Sequence, residues 1–273
     1  MEYLFRGIWV VAYRDLLRFV QERTRLVSSF AMPLLFLVIF GAGFNRVIGA
    51  LAPGVNFVQF IYPGIIAMTV LMNSLMSGLS VVWDREFGFL REVLVAPMSR
   101  TGIVFGKALG TALIALGQGI VMLVLAPVIG VSINGILVVQ LIPLLMLVSL
   151  SLSGLGILVA SRMRSQQGFQ MMIQILIMPL VFMSGVFFPV NNVPTWLEVV
   201  SKINPLTYGV DAIRQVFLGV SSVPISGMPG GDTYAIGVTV FGHTMSVIDD
   251  ALVVAVLGII LMSAAVWSFN RQE

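Results

Sequence analysis

The chain has no cysteine, a single histidine and very little charge. Without cysteine there are no disulfides, thiolate zinc sites, iron–sulfur clusters or cysteine nucleophiles. His243 alone leaves a histidine-based metal cluster or a Ser-His catalytic pair without its parts. Charged residues make up 10% of the 273 positions and hydrophobic ones 58%, whereas an ordinary soluble domain carries about 25% charge. So little charge cannot solvate the surface of a water-soluble enzyme of this size. So much apolar content excludes a disordered chain. No Asp, Glu, Lys or Arg occurs between Ala108 and Ser161, a stretch that holds two helices of the about 20 residues needed to cross a bilayer. The apolar runs do not alternate, which removes an outer-membrane barrel.

What is present are apolar runs, and these define six expected spans: Leu26–Ile48, Val58–Trp83, Ala108–Val131, Ile136–Ser161, Phe169–Phe188 and Ala251–Phe269. Pro33, Pro63, Pro143 and Pro179 fall inside spans, which helix bundles tolerate when neighbours satisfy the freed backbone groups. Of the 15 Lys and Arg residues, 12 lie in the N-terminal segment, in the loops after spans two and four, and in the tail. Only Arg46, Lys202 and Arg214 lie on the other side. The positive-inside rule then places both termini in the cytoplasm of a multi-pass protein of the cytoplasmic membrane. No basic cluster with interleaved aromatics points to nucleic acid. The expected fold is all-α, a single membrane domain over residues 1–273. It has a cytoplasmic amphipathic helix within 1–25, a cytoplasmic loop at 84–107 and an outer segment at 189–250.

From Tyr13 to Glu22 the spacing predicts an amphipathic helix. Leu16, Leu17, Phe19 and Val20 fall on one side, and Arg14, Asp15, Arg18, Gln21 and Glu22 on the other. Such a helix can lie in the membrane interface, or pack as an extension on the bundle. In the outer segment two short helices are expected. Val193–Ile203 is the first. The second runs Pro205–Leu218, with Asn204 as N-cap, Pro205 at the first helical position and Gly219 as the stop. Asp211 and Arg214 can pair along it. At 1.5 Å per residue it extends about 21 Å, short of the bilayer core, so the pair reads as re-entrant helices dipping into the outer leaflet.

Catalytic motifs are missing. Gly102 to Ala108 imitates a phosphate loop, but it has three residues between the glycines instead of four, and Ala108 in place of a magnesium-binding hydroxyl. No metalloprotease helix motif and no nucleophile elbow occurs. Asp249-Asp250 precedes a span and reads as its outer boundary. The spans offer neutral polar groups rather than the ionisable ones that proton- or sodium-coupled transport uses. These groups, Asn73, Ser77, Gln118, Gln170 and Gln174 among them, read first as interhelical hydrogen-bonding residues and second as the lining of a substrate path. The small residues Gly106, Gly110, Ala112, Ala115, Gly117 and Gly119 permit close helix packing within the subunit. The loop after span two carries a helical stripe of Phe87, Leu90 and Leu94, ended by Pro97. It can lie on the membrane surface or dock a partner.

Three features together resemble the type-2 ABC exporter permeases: the amphipathic N-terminus with six spans, the loop Glu86-Phe87-Gly88-Phe89-Leu90 … Pro97-Met98-Ser99-Arg100, and the segment Asn204-Pro205-Leu206-Thr207-Tyr208-Gly209-Val210-Asp211-Ala212-Ile213-Arg214. That family includes drug, lipo-oligosaccharide and polysaccharide export subunits. The resemblance implies a permease without an ATPase site of its own, paired with a second copy or a related permease. A separate cytoplasmic ATPase would bind the ATP and magnesium. It also implies that the loop Arg85–Met98 is a coupling helix, with Arg85, Glu86, Phe87, Gly88, Leu90, Arg91 and Leu94 carrying the coupling. Arg14, Arg18 and Glu22 would add contacts from the N-terminal helix. The cargo would be amphipathic or lipid-linked. The alternative is a transporter or channel of the same topology not driven by ATP; a membrane-embedded enzyme lacks a catalytic constellation.

Overall fold

The computed structural model describes residues 2–51, 57–86, 100–129, 133–188, 190, 193–219, 222–224, 233–235, 237–240 and 243–271. Nine helices follow one another among them: α1 (Glu2–Gln21), α2 (Arg23–Leu51), α3 (Phe57–Glu86), α4 (Arg100–Leu125), α5 (Gly135–Arg162), α6 (Gln166–Phe182), α7 (Thr195–Ile203), α8 (Pro205–Leu218) and α9 (Val247–Asn270). The all-α expectation is met apart from two small antiparallel strand pairs in the outer segment. Ser222–Pro224 pairs with Thr233–Ala235, and Thr239–Val240 with His243–Thr244. Their short polar strands leave no apolar run for a sequence pattern to find.

Among the described residues four helices are long and apolar enough to cross a membrane, over Val58–Glu86, Thr101–Leu125, Gly135–Arg162 and Val247–Asn270. These coincide with expected spans two, three, four and six. The first expected span lies in α2, which meets α1 at a 73° bend. The fifth corresponds to α6 and is shorter than expected, ending at Phe182 rather than Phe188. Pro179 interrupts its last turn, and Gly185 adopts a positive φ of 81° just beyond it.

The bundle is built around α3. Ile61, Tyr62, Ile65, Ile66, Ala67, Val70, Leu71 and Leu75 are fully buried on it, as expected of a helix that is apolar all round. α2, α4, α5, α6 and α8 pack against it, and α9 packs along α5. Between α3 and α5 the packing is backbone on backbone. A Cβ added to Gly78 would lie 2.2 Å from the Gly156 carbonyl oxygen, and one added to Gly156 would lie 2.5 Å from that of Leu75. Serines tie the same seam: Ser74 Oγ lies 2.9 Å from Ser149 Oγ, and Ser77 Oγ donates to the Ser153 carbonyl at 3.4 Å. This is the small-residue, hydroxyl-bonded packing that replaces hydrophobic burial where the surrounding solvent is lipid.

Two sequence expectations change. The cytoplasmic loop expected at 84–107 is shorter, because α3 continues to Glu86 and α4 begins at Arg100. The charged residues read as loop are helical, and one pair of them is buried. The N-terminal helix also turns differently. Val11, Ala12 and Phe19 are buried, while Trp9, Tyr13, Leu17 and Val20 form an exposed apolar stripe. Arg14 and Asp15 are half-buried beside the inward residues. The stripe of small residues on α4 receives the helix: Gly106 abuts Ile8 and Val11, and Gly110 abuts Ala12 and Asp15.

The outer helix α8 matches its expected bounds. The Asn204 side chain accepts from the Leu206 N–H at 3.0 Å, and Gly219 closes the helix at φ 65° with its N–H on the Gln215 carbonyl. Gly209 packs on Val148, which stands 13 residues, about 20 Å, along α5 from its start at Gly135. α8 is therefore wedged into the bundle rather than resting on it.

Candidate functional site

The helix ends around Glu86 carry the first constellation. Asp84, near the end of α3, accepts from Lys107 Nζ of α4 at 2.7 Å and from Arg14 of α1 at 3.3 Å. Lys107 also donates to Ser80 Oγ at 2.8 Å, and its side chain is 1% exposed. Placing an ammonium there is favourable only because its carboxylate and hydroxyl are already in position. The lysine of the imitation phosphate loop is thus committed inside the bundle. The next two residues of α3 reach other helix ends. Arg85 donates to the carbonyls of Met163 at 2.8 Å and Ser161 at 3.3 Å, at the C-terminus of α5. Glu86 accepts from the Gln166 N–H at 3.1 Å, at the N-terminus of α6. Each charge has the sign that the helix dipole favours at that end. Three consecutive residues of α3 thereby bind α1, α4, α5 and α6.

Of the residues expected to couple, Arg85 and Glu86 belong to this network. Phe87, Gly88, Leu90, Arg91 and Leu94 lie outside the described residues. Arg14 and Arg18 turn toward the bundle, Arg14 on Asp84 and Arg18 at 5.4 Å over the Trp83 ring. Glu22 is half-buried at the junction of α1 and α2.

The expected path residues separate into two groups. Asn73 and Ser77 line a cleft between α1, α3 and α4 together with Asp15, Arg18, Ser80, Trp83 and Thr111. It encloses about 40 Å³, room for a few water molecules. Both residues are engaged in interhelical bonds. Asn73 donates to Gln118, which donates in turn to Ser29 Oγ at 2.7 Å, linking α3, α4 and α2. Gln170 and Gln174 lie on the exposed face of α6.

The outer end holds a second constellation that the sequence reading missed. Asp211, Arg214 and Gln215 of α8 and Asp250 of α9 are all buried. Arg214 donates to the Gly185 carbonyl at 2.6 Å and stacks 4.2 Å from the Phe60 ring centre. Asp211 accepts from the Val238 N–H at 2.6 Å and from Gln215 Nε2 at 3.2 Å. The expected Asp211–Arg214 pair is thus replaced by separate partners for each. Asp249 and Asp250, read together as a boundary mark, divide: Asp249 forms a capping box with Ser246, and Asp250 points into the bundle. A local signal existed for neither long-range bond.

Charge is thus buried at both ends of an apolar helical bundle, and no group of three or more His, Cys, Asp or Glu among the described residues could hold a metal ion. The chain belongs to the ABC-2 type transporter family, whose pattern matches residues 6–218. It is a multi-pass membrane protein of the permease class, a class that works with an ABC ATPase. Among its relatives is the ycf38 protein of Cyanophora paradoxa, named for a transport permease. That protein is 31% identical over 79% of this chain and 75% of its own length. YadH, an inner membrane transport permease of Escherichia coli strain K12, is 27% identical over 81% of this chain and 85% of its own. YbhR of the same strain, whose name includes multidrug ABC transporter permease, is 31% identical over 63% of this chain and 47% of its own.

Proposed function

We propose that this chain is the membrane subunit of an ATP-driven exporter, pairing with a second copy of itself or a related permease and with a cytoplasmic ATPase. Six spans carry it, α2 and α6 being the first and fifth, with both termini in the cytoplasm. ATP and magnesium belong to the ATPase. The observation that carries this reading is the clamp at Asp84. The segment from Phe87 to Ser99 leaves from α3 and returns into α4, and the Asp84–Lys107 bond ties the two stems together just inside the membrane. A push on that segment moves α3 and α4 as a unit, and Arg85 and Glu86 hand the movement to α5 and α6. Phe87, Leu90 and Leu94 supply the apolar stripe for docking, flanked by Gly88 and Arg91; Arg14, Arg18 and Glu22 brace the stems from α1.

ATP binding would shift the subunits between two states of different cargo affinity. The cargo is amphipathic or lipid-linked: the Asn73–Ser77 cleft is too small for it when closed, and the polar face of α6 with Gln170 and Gln174 is available at a subunit boundary. α7 and α8 are re-entrant helices that cap the exit, a reading supported by the depth at which Gly209 meets Val148. The test is copurification from native membranes. An ATPase should accompany the chain, and its hydrolysis should be stimulated by amphipathic compounds. Leu90→Glu should abolish stimulation while leaving the membrane fold intact. Undiminished association and export in that variant would remove the segment from the mechanism.

A further inference from the structure

The outer constellation brings two carboxyls onto one amide nitrogen. Gln215 Nε2 carries two hydrogens, yet three acceptors surround it: Asp211 Oδ2 at 3.2 Å, Met245 O at 3.1 Å and Asp250 Oδ2 at 3.2 Å. Asp211 Oδ2 also accepts from the Val238 N–H at 2.6 Å, which leaves the two Nε2 hydrogens for Met245 O and Asp250 Oδ2. The two carboxyls thus converge on a single nitrogen, each with its Oδ2 at 3.2 Å from it. The remaining oxygens, Asp211 Oδ1 and Asp250 Oδ1, and the nearby Arg214 Nε have no hydrogen-bond partner among the described residues. Asp211 is 2% exposed and Asp250 0%. Two ionised carboxylates in such a place repel one another and leave both Oδ1 atoms without a hydrogen, whereas a carboxylic acid beside a carboxylate removes one of the two charges and brings a hydrogen.

We propose that Asp211 and Asp250 share one proton, which makes the outer cap a pH-sensitive latch joining α8, the short hairpin at Val238–Met245 and the start of α9. Every bond of the latch crosses between these parts: Val238 N–H to Asp211, Gln215 to Met245, and Gln215 to Asp250. The charge count agrees. Arg214 is the one cation on α8 at the cluster and balances a single carboxylate. The other titratable groups around it among the described residues are Tyr208 on α8, Asp249 on α9 and exposed His243, 3.5 Å from Asp249, with Glu198 and Lys202 paired to each other on the adjacent α7. Tyr62 of α3 lies against Phe217 nearby, and α5 offers no titratable group along Gly135–Ser161. Burial holds the Asp211 carboxyl above its ordinary range, against the opposing pull of the Val238 N–H and Arg214. A carboxyl that keeps its proton in the folded state favours that state at low pH, and the advantage is lost as pH rises. Losing the shared proton sets two like charges side by side and releases the hairpin and α9 from α8.

Infrared difference spectra of the full chain in lipid nanodiscs test the shared proton. At neutral pH the wild type should show a protonated-carboxyl carbonyl stretch that Asp250→Asn removes and Asp249→Asn leaves in place. No such band, or one that survives Asp250→Asn, overturns the shared proton. The absence of native cysteine allows the latch to be read by thiol labelling. Val238→Cys, referenced to Thr244→Cys to cancel the thiol's own titration, should become about tenfold more reactive between about pH 6 and about pH 9. In the Asp250→Asn background it should stay protected throughout. An equal rise in both backgrounds, or none in either, overturns the latch.

Discussion

The inner and outer ends of the bundle both bury charge, and they neutralise it by opposite means. At the inner end Lys107 meets Asp84 directly, and Arg14 adds a second cation from the half-exposed side. At the outer end Arg214 is held by backbone carbonyls and an aromatic ring, and the acids by an amide and a backbone N–H. A direct ion pair between helix stems is stiff, because separating it strands two ions in a medium that cannot solvate them. Charges held by backbone groups of turns and loops can exchange partners when those segments shift. The inner end is suited to transmitting force and the outer end to changing state.

Removing one member of the inner pair should therefore have the largest effect. Lys107→Met leaves Asp84 buried without its main partner and should cost about 3–5 kcal/mol of stability, measured by thermal unfolding in detergent. The double variant Asp84→Leu/Lys107→Met should recover most of it, since Arg14 still reaches water. A double variant as unstable as the single one would break the comparison. Arg214→Met should cost less, about 1.5–3 kcal/mol, because it removes charged hydrogen bonds to neutral carbonyls. Parity with Lys107→Met in the same assay would show that the outer end is clamped as hard as the inner. Asn204→Ala removes the α8 cap and should cost about 1 kcal/mol, with faster amide exchange confined to α7 and α8. Glu86→Gln should have the smallest effect, at most about 0.5 kcal/mol and fading with added salt, as befits an exposed dipole contact. A salt-independent loss would place Glu86 within the rigid inner clamp.

What the sequence disclosed follows the range of the forces involved. α8 was legible to its ends because Asn204, Pro205 and Gly219 act on their own helix within a few residues. The long apolar runs were legible because the bilayer imposes one length on all of them. Charge at the helix ends was misread. Asp84 and Lys107 are 23 residues apart, and no local pattern distinguishes a lysine in water from one paired inside a bundle. The N-terminal helix shows the same limit. Its periodicity revealed two faces, but which face turns inward depends on Gly106 and Gly110 of a helix many residues later. The outer acids were hidden for a related reason. Asp249 and Asp250 are adjacent in sequence but about 100° apart around α9, so one caps the helix and its neighbour enters the bundle.

The bare contact between Gly78 and Gly156 leaves no side chain between the two backbones to absorb relative motion. Gly78 lies eight residues, about 12 Å, from Glu86, and twenty residues, about 30 Å, from Val58. If α3 turns as a rigid rod about that point, each ångström of displacement at Glu86 becomes about 2.5 Å at Val58. In such a turn a small stroke at Glu86 would arrive magnified where α8 wedges between the helices, and a bulkier residue at Gly78 would hinder the turn as well as the packing.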